Sequence, residues 1–156
     1  MTSLWKIDFE KIRQKKEKSP VELLNEQCQA LSALSQDKVK ATLYDCDTED
    51  LKLKNMICSH EVSGFNPDDI DYYIYDFSIT SHVTHKYSYH VFYMYFCMDF
   101  YPTKIIVNDE IAKELNISDN CIVVNNKDEL VSAFKNIFNC NAVSEVIKKL
   151  YLLNLG

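Results

Sequence analysis

Between Asp71 and Tyr101 the chain reads DYYIYDFSITSHVTHKYSYHVFYMYFCMDFY, a run that holds eight of the ten tyrosines and a single lysine, Lys86. Aromatic and β-branched residues at alternating positions suit a pleated surface, so the spacing predicts two long strands, over 71–80 and 87–100. A polar link carrying His82 and His85 joins them. In the second strand strict alternation puts His90, Phe92, Met94, Phe96, Met98 and Phe100 on a core face. Tyr87, Tyr89, Val91, Tyr93, Tyr95, Cys97 and Asp99 then fall on the other side. Tyr73 and Tyr75 of the first strand are expected on that same side, as one tyrosine face.

The rest of the chain supplies what such a hairpin packs against. Ser19-Pro20-Val21-Glu22 is a helix start: a hydroxyl to cap free amides, proline at the first helical position, and an acid three residues on. Val21, Leu24, Cys28 and Leu31 follow at helical spacing, predicting a helix to about Ser35 with one buried stripe. A shorter helix over 9–17 is expected before it, with Trp5 packing on the body. VKATLYDCD (39–47) alternates like a half-buried strand, and LKLKNMICSHEV (51–62) reads as its antiparallel neighbour. GFNPDD (64–69) is a turn.

After Pro102, TKIIV (103–107) is a short strand and Asn108 caps a two-turn helix. CIVV (121–124) is a last strand; Asn125 or Asn126 then caps an amphipathic helix through Phe138, and a second from about 142 to 153 packs with it as an antiparallel pair. Helices, then a strand meander, then helices predict an α+β fold. An antiparallel sheet of about five strands carries the N- and C-terminal helices mainly on one face. At 156 residues the chain is expected to form a single domain, 1–156.

Charge narrows the function. The first twenty residues hold six of the seventeen basic groups and three acids, while the remainder carries eleven basic and twenty acidic residues, a net of −9. An acidic body argues against nucleic acid, whose phosphates supply most of the affinity of a typical binder. Arg13 is the only arginine, so bidentate phosphate forks are absent. No apolar run reaches bilayer-spanning length, and the N-terminus lacks the pattern of a secretory signal, so no membrane partner and a cytoplasmic location are expected. The six cysteines are irregularly spaced and read as reduced.

The helix opening SPVELLNEQCQAL, the strand end MDFYPTKIIV and the closing IVVNNKDELVSAFKNIFNCNAVSEVIKKLYL resemble a set of uncharacterised bacterial α+β proteins. Those share a Pro-capped N-terminal helix, an aromatic β-meander, a Tyr-Pro turn and two C-terminal helices. The resemblance implies a bacterial or phage origin and assigns no residue a role.

Three constellations compete for the site. Cys58, His60, His82 and His85 offer four nitrogen and sulfur donors for a tetrahedral metal, although neither Cys-x-His nor His-x-x-His is a zinc-site spacing. Cys97 or Cys58 as a nucleophile with His90 or His60 lacks any activating neighbour in sequence. The acidic runs Asp45-Asp47-Glu49-Asp50 and Asp68-Asp69-Asp71 lie in turn-rich segments, where aspartate solvates loops. Against these stands the tyrosine face: Tyr73, Tyr75, Tyr93 and Tyr95, rimmed by Asp68, Asp69, Asp71, Asp76 and Asp99. Tyrosine is enriched at interfaces for its large area and its hydroxyl, and surrounding acids steer a basic partner.

The sequence therefore predicts a non-enzymatic protein-binding module without a cofactor. One form is an immunity or inhibitor protein masking a basic toxin or nuclease. The alternative is a small-ligand or metal-binding enzyme or sensor built on the His82/His85 link. Self-association as a homodimer is a third expectation.

Overall fold

Ser19 Oγ accepts from Glu22 N at 3.2 Å, Asn108 Oδ1 from Ile111 N at 2.8 Å, and Asn126 Oδ1 from Glu129 N at 2.9 Å. These three caps start the helices where the sequence places them, because each satisfies an amide that the first helical turn leaves unpaired. The capping box at Ser19 is one-sided in the hydrogen bonds seen: the Glu22 carboxylate pairs with Lys16 Nζ at 2.8 Å.

The computed structural model describes residues 3–46, 72–81 and 87–155. Helices α1 (Phe9–Gln14) and α2 (Pro20–Leu34) lead into β1 (Val39–Asp45); β2 (Tyr72–Ser81), β3 (Ser88–Cys97) and β4 (Thr103–Val107) follow. Helix α3 (Asp109–Leu115) and a 3-10 turn at Ser118–Asn120 precede β5 (Cys121–Val124), and α4 (Lys127–Phe138) and α5 (Asn141–Leu153) close the chain. The five strands form one antiparallel sheet in the order β1-β2-β3-β4-β5. The fold is α+β, as the order of helical and alternating segments predicts. The described partner of β1 is β2; the strand expected over 51–62 lies outside the described residues.

Helices α2 to α5 pack on one face of the sheet. Leu24 of α2, Ile111 of α3, Leu130, Phe134 and Ile137 of α4 and Val143 of α5 are buried there. They meet Val39, Phe77, Ile79, Met94, Ile105 and Val124 from the five strands. Phe92 stacks on Phe77 at 5.0 Å and on Phe134 at 5.9 Å between ring centroids, so the aromatics of α4 are keyed to the middle strands. Asn154 locks the end of α5 to the sheet, donating to Lys38 O at 3.0 Å and Ser81 Oγ at 3.0 Å.

The β2–β3 pairing is interrupted. Phe77 faces Phe92 but Ser78 faces His90, so Val91 is an extra residue in β3, a β-bulge. A bulge reverses the alternation beyond it. Val91 and Phe92 both enter the helix-side core, while Phe92, Met94 and Phe96 keep the expected core face. His90, expected in that core, is turned to the opposite side. Beyond Cys97 the strand ends, leaving Met98 exposed rather than on a core face.

Trp5 also departs from expectation. It is 79% exposed, and no residue of α1 is buried. The six-residue helix has Glu10 and Arg13 paired across one turn, and its apolar groups Phe9 and Ile12 face outward.

Candidate functional site

The cross-strand register decides which tyrosines can act together. Tyr73 pairs with Phe96 and Tyr75 with Met94, whereas Ile74 pairs with Tyr95 and Asp76 with Tyr93. Residues directly opposite in a sheet share a face. Tyr73 and Tyr75 therefore stand on the helix side, and Tyr93 and Tyr95 on the other. The single tyrosine face expected from alternation is two half-faces. The reason is the bulge-corrected register: β2 and β3 bring unlike positions opposite each other.

On the helix side, toward the Tyr72 end of β2, the aromatics form a row. Tyr73 leans on Phe96 at 5.6 Å, Tyr75 stacks on Phe96 at 6.2 Å, and Phe100 meets Phe96 edge-on at 6.2 Å. Phe96 is buried, Tyr75 half-buried, and Tyr73 is 45% exposed. The row thus runs from core to solvent on a rigid base. Asp45 lies across from Tyr75 in the ladder and is exposed. Burial pushes the Tyr75 phenol up, and the negative charge of Asp45 adds to the shift. Met98 and Asp99, both exposed, follow Cys97 on the adjoining turn.

The opposite face is different in chemistry. Ile74, Tyr95 and Ile106 are buried there, with Cys46, Tyr93, Cys97 and Cys121 half-buried around them. Lys104 is buried as well, its Nζ 5.2 Å from the centroid of the Tyr95 ring, within the range of a cation–π contact. Farther along, His90 Nδ1 lies 2.9 Å from Asp76 Oδ1, and Ser78 Oγ donates to the same oxygen at 2.8 Å. The His90 ring also packs on Tyr93 at 4.2 Å. Burial pushes the Asp76 carboxyl up, but hydrogen bonds from His90 and Ser78 and the charge of His90 outweigh it, and the carboxyl sits below its ordinary value. Ser78 and His90 both bond to the same Asp76 oxygen, so this carboxylate ties β2 to β3 across the sheet.

Of the residues singled out in the sequence, Tyr73, Tyr75 and Asp99 belong to the aromatic end, while Tyr93, Tyr95 and Asp76 belong to the other face. Asp68, Asp69, Asp71, Cys58, His60, His82 and His85 lie outside the described residues. Among the described residues no three His, Cys, Asp or Glu side chains converge as a metal site. Cys97 and His90 stand seven residues apart along one strand, roughly 20 Å at strand rise, so the two do not form a nucleophile–base pair. Burial raises the thiol pKa of Cys28, Cys121 and Cys140, which keeps them protonated and weakly nucleophilic.

Phe96 and Asp45 are the members that sequence reasoning missed. Phe96 was legible as core but not as the footing of Tyr73. Asp45 was legible only as part of an acidic run in a turn-rich segment, whereas it is the last residue of β1. The Asp76–His90 pair was hidden by the bulge.

The molecule is an α+β chain in which one aromatic row runs from buried Phe96 to exposed Tyr73, with Asp45 opposite Tyr75 in the ladder. No helix among the described residues is long and apolar enough to cross a membrane. Comparison with protein-family models, with curated proteins and with solved structures gives no match.

Proposed function

We propose that this chain is a non-enzymatic protein-binding module that docks a basic protein on the aromatic end of β2 and β3. The carrying observation is Tyr73, 45% exposed and seated on buried Phe96. A large ring with a hydroxyl, held at low entropic cost on a rigid base, is the usual form of an interface hot spot. Tyr75 widens the contact, and Asp45 and Asp99 supply negative charge at its edge. Asp68, Asp69 and Asp71 precede the strand in sequence, within a remainder of the chain that carries a net −9 outside the first twenty residues. That sign selects a cationic partner and raises its rate of encounter. An immunity or inhibitor protein that covers a basic toxin or nuclease fits this chemistry.

The test begins with a partner co-purified from the native cell and titrated against the purified chain. Affinity is expected to fall as salt rises. Tyr73→Ala is expected to weaken binding by about 2 kcal/mol, and Asp45→Asn to slow association. Tyr93→Ala, on the other face, leaves affinity unchanged. Binding that ignores Tyr73→Ala and ionic strength alike refutes the reading.

A further inference from the structure

Strand β5 is an edge of the sheet. It pairs with β4 on one side, and among the described residues no strand pairs with the other. Antiparallel neighbours exchange hydrogen bonds at every second residue, so one known bond fixes which way each backbone group points. Cys46 N–H donates to Ile74 O at 2.9 Å, so these two form a hydrogen-bonded pair between the first two strands. Counted on from there through the registers, Tyr75–Met94, Tyr95–Lys104 and Ile105–Ile122 are the hydrogen-bonded pairs in turn. Ile122 and Val124 therefore direct their backbone groups to β4, and Cys121, Val123 and Asn125 direct theirs to the outer edge.

Two of those three outward amides are satisfied within the chain. Cys121 N–H donates to Ser118 O, and Asn125 N–H donates to Glu129 Oε2 at 2.6 Å. Both bonds agree with the count. Val123 stands between them, 38% exposed, with its own N–H and C=O at the open edge. An unpaired strand edge is a template for another chain. Here the flanks are closed and the opening is centred on one residue.

A groove of about 470 Å³ lies beside that opening. Leu115, Ile117, Ile122 and Val124 line it, and α4 contributes Ser132 and Ala133. Ile122 and Val124 turn their side chains to the helix side, where they pack on the main core. Among the described residues the only charged side chain along the groove is that of Glu129.

We propose that the β5 edge takes an extended peptide of a partner protein as an added antiparallel strand, apolar at two alternate positions and basic beside them. This surface is separate from the aromatic end of β2 and β3. The open backbone selects a peptide: Val123 offers one donor and one acceptor side by side, which a single antiparallel residue meets with two bonds. Side chains alternate across a strand. The peptide residues before and after that one therefore point to the helix side, as Ile122 and Val124 do, and enter the groove. Its volume is within the range of ligand sites, about 300–1,000 Å³. The Glu129 carboxylate selects lysine or arginine next to the apolar pair. A second copy of this edge carries the same carboxylate, so charge disfavours a symmetric pairing of two β5 strands.

The probe is a peptide blocked at both ends, lysine-leucine-threonine-leucine-lysine, titrated into the isotope-labelled chain and followed by amide resonances. The expected result is saturable binding centred on Val123, whose amide then exchanges with solvent about tenfold more slowly. Methylating the nitrogen of the peptide's threonine removes one of the two backbone bonds and lowers affinity about fivefold, with the protein itself unaltered. Ser132→Trp fills the groove from an exposed position and lowers affinity about tenfold; circular dichroism checks that the variant folds. Exchanging the peptide's lysines for glutamates weakens binding at low salt. Tyr73→Ala, on a strand three places away in the sheet, leaves peptide binding unchanged. Four outcomes overturn the proposal: no protection of the Val123 amide at saturating solubility of the peptide; a methylated peptide that binds as well as its parent; resonance shifts centred on Tyr73 instead; or Val123 protection that grows with protein concentration alone, which would make the occupant a second copy.

Discussion

Val91 and Phe92 are consecutive in β3, and both are completely buried in the same helix-side core. The bulge that allows this is held by one residue. Asn108 donates its backbone N–H to Val91 O at 3.0 Å and its side-chain amide to His90 O at 2.8 Å, while its Oδ1 caps α3. The strand irregularity and the helix start are thus a single device. The bonds to His90 O and from Ile111 N use the side chain and are open to substitution.

Asn108→Ala is expected to cost about 2–3 kcal/mol, the sum of a lost N-cap and a lost hydrogen bond at a half-buried carbonyl. Asn108→Ser keeps an acceptor for Ile111 N and loses the donor to His90 O, so it should recover about half of that cost. Urea denaturation of the two variants provides the measurement. Equal costs for Ala and Ser would mean that the cap contributes nothing and the bulge everything.

The turned-out His90 makes stability depend on acid. The Asp76 carboxyl is held below its ordinary value of 3.8 in the folded chain. A depressed carboxyl stabilises the fold fully above the unfolded value, and the contribution is lost as pH falls through the lower, folded one. Stability should therefore drop below about pH 4 more steeply than in Asp76→Asn, whose side chain does not titrate. Urea melts over a series of acidic pH values compare the two slopes; parallel curves would show that Asp76 gains nothing from His90 and Ser78.

Tyr89 sets the alkaline side. Burial, chiefly, and the Glu110 carboxylate that accepts its hydroxyl at 3.1 Å push the phenol up to about 12. A raised value favours the neutral form in the folded chain. Its contribution is complete below the ordinary value of 10 and disappears as pH rises toward 12. Tyr89→Phe should remove that part of the alkaline loss, and the near-ultraviolet phenolate titration should lose one late-ionising component, near pH 12. An unchanged titration would place the late phenol elsewhere.

Most of the architecture was readable because it depends on local rules. Ser19, Asn108 and Asn126 announce their helices through capping, and Phe92, Met94 and Phe96 announce a buried strand face through alternation. The division of the tyrosines was not readable. One extra residue at Val91 flips every side chain before it, and nothing in SYHVFYMYFC marks the bulge, since it is held by Asn108 from another element. The pairing of β2 with β3 is likewise non-local, so whether Tyr73 stands over Phe96 or beside Tyr93 could not be told from spacing alone. Trp5 was misplaced for the opposite reason: local amphipathicity says that a face wants burial, not where the burial is found.

The divided tyrosines give the clearest stability contrast. Tyr95 is fully buried, surrounded by Ile74 and Ile106, with Lys104 over its ring. Tyr95→Ala removes a large aromatic from a packed layer and should cost about 3–5 kcal/mol. Tyr95→Phe keeps the ring and isolates the hydroxyl, so it should cost no more than about 1–2 kcal/mol. Tyr73 has the same composition and nearly the same place in the sequence pattern, yet it sits half in solvent on Phe96. Tyr73→Ala should change folding by only about 0.5 kcal/mol. The gap between the two alanine variants exceeds the error of a denaturant melt. A Tyr73→Ala cost rivalling that of Tyr95→Ala would mean that Tyr73 is core, and the aromatic end would then offer no ring for a partner to bind.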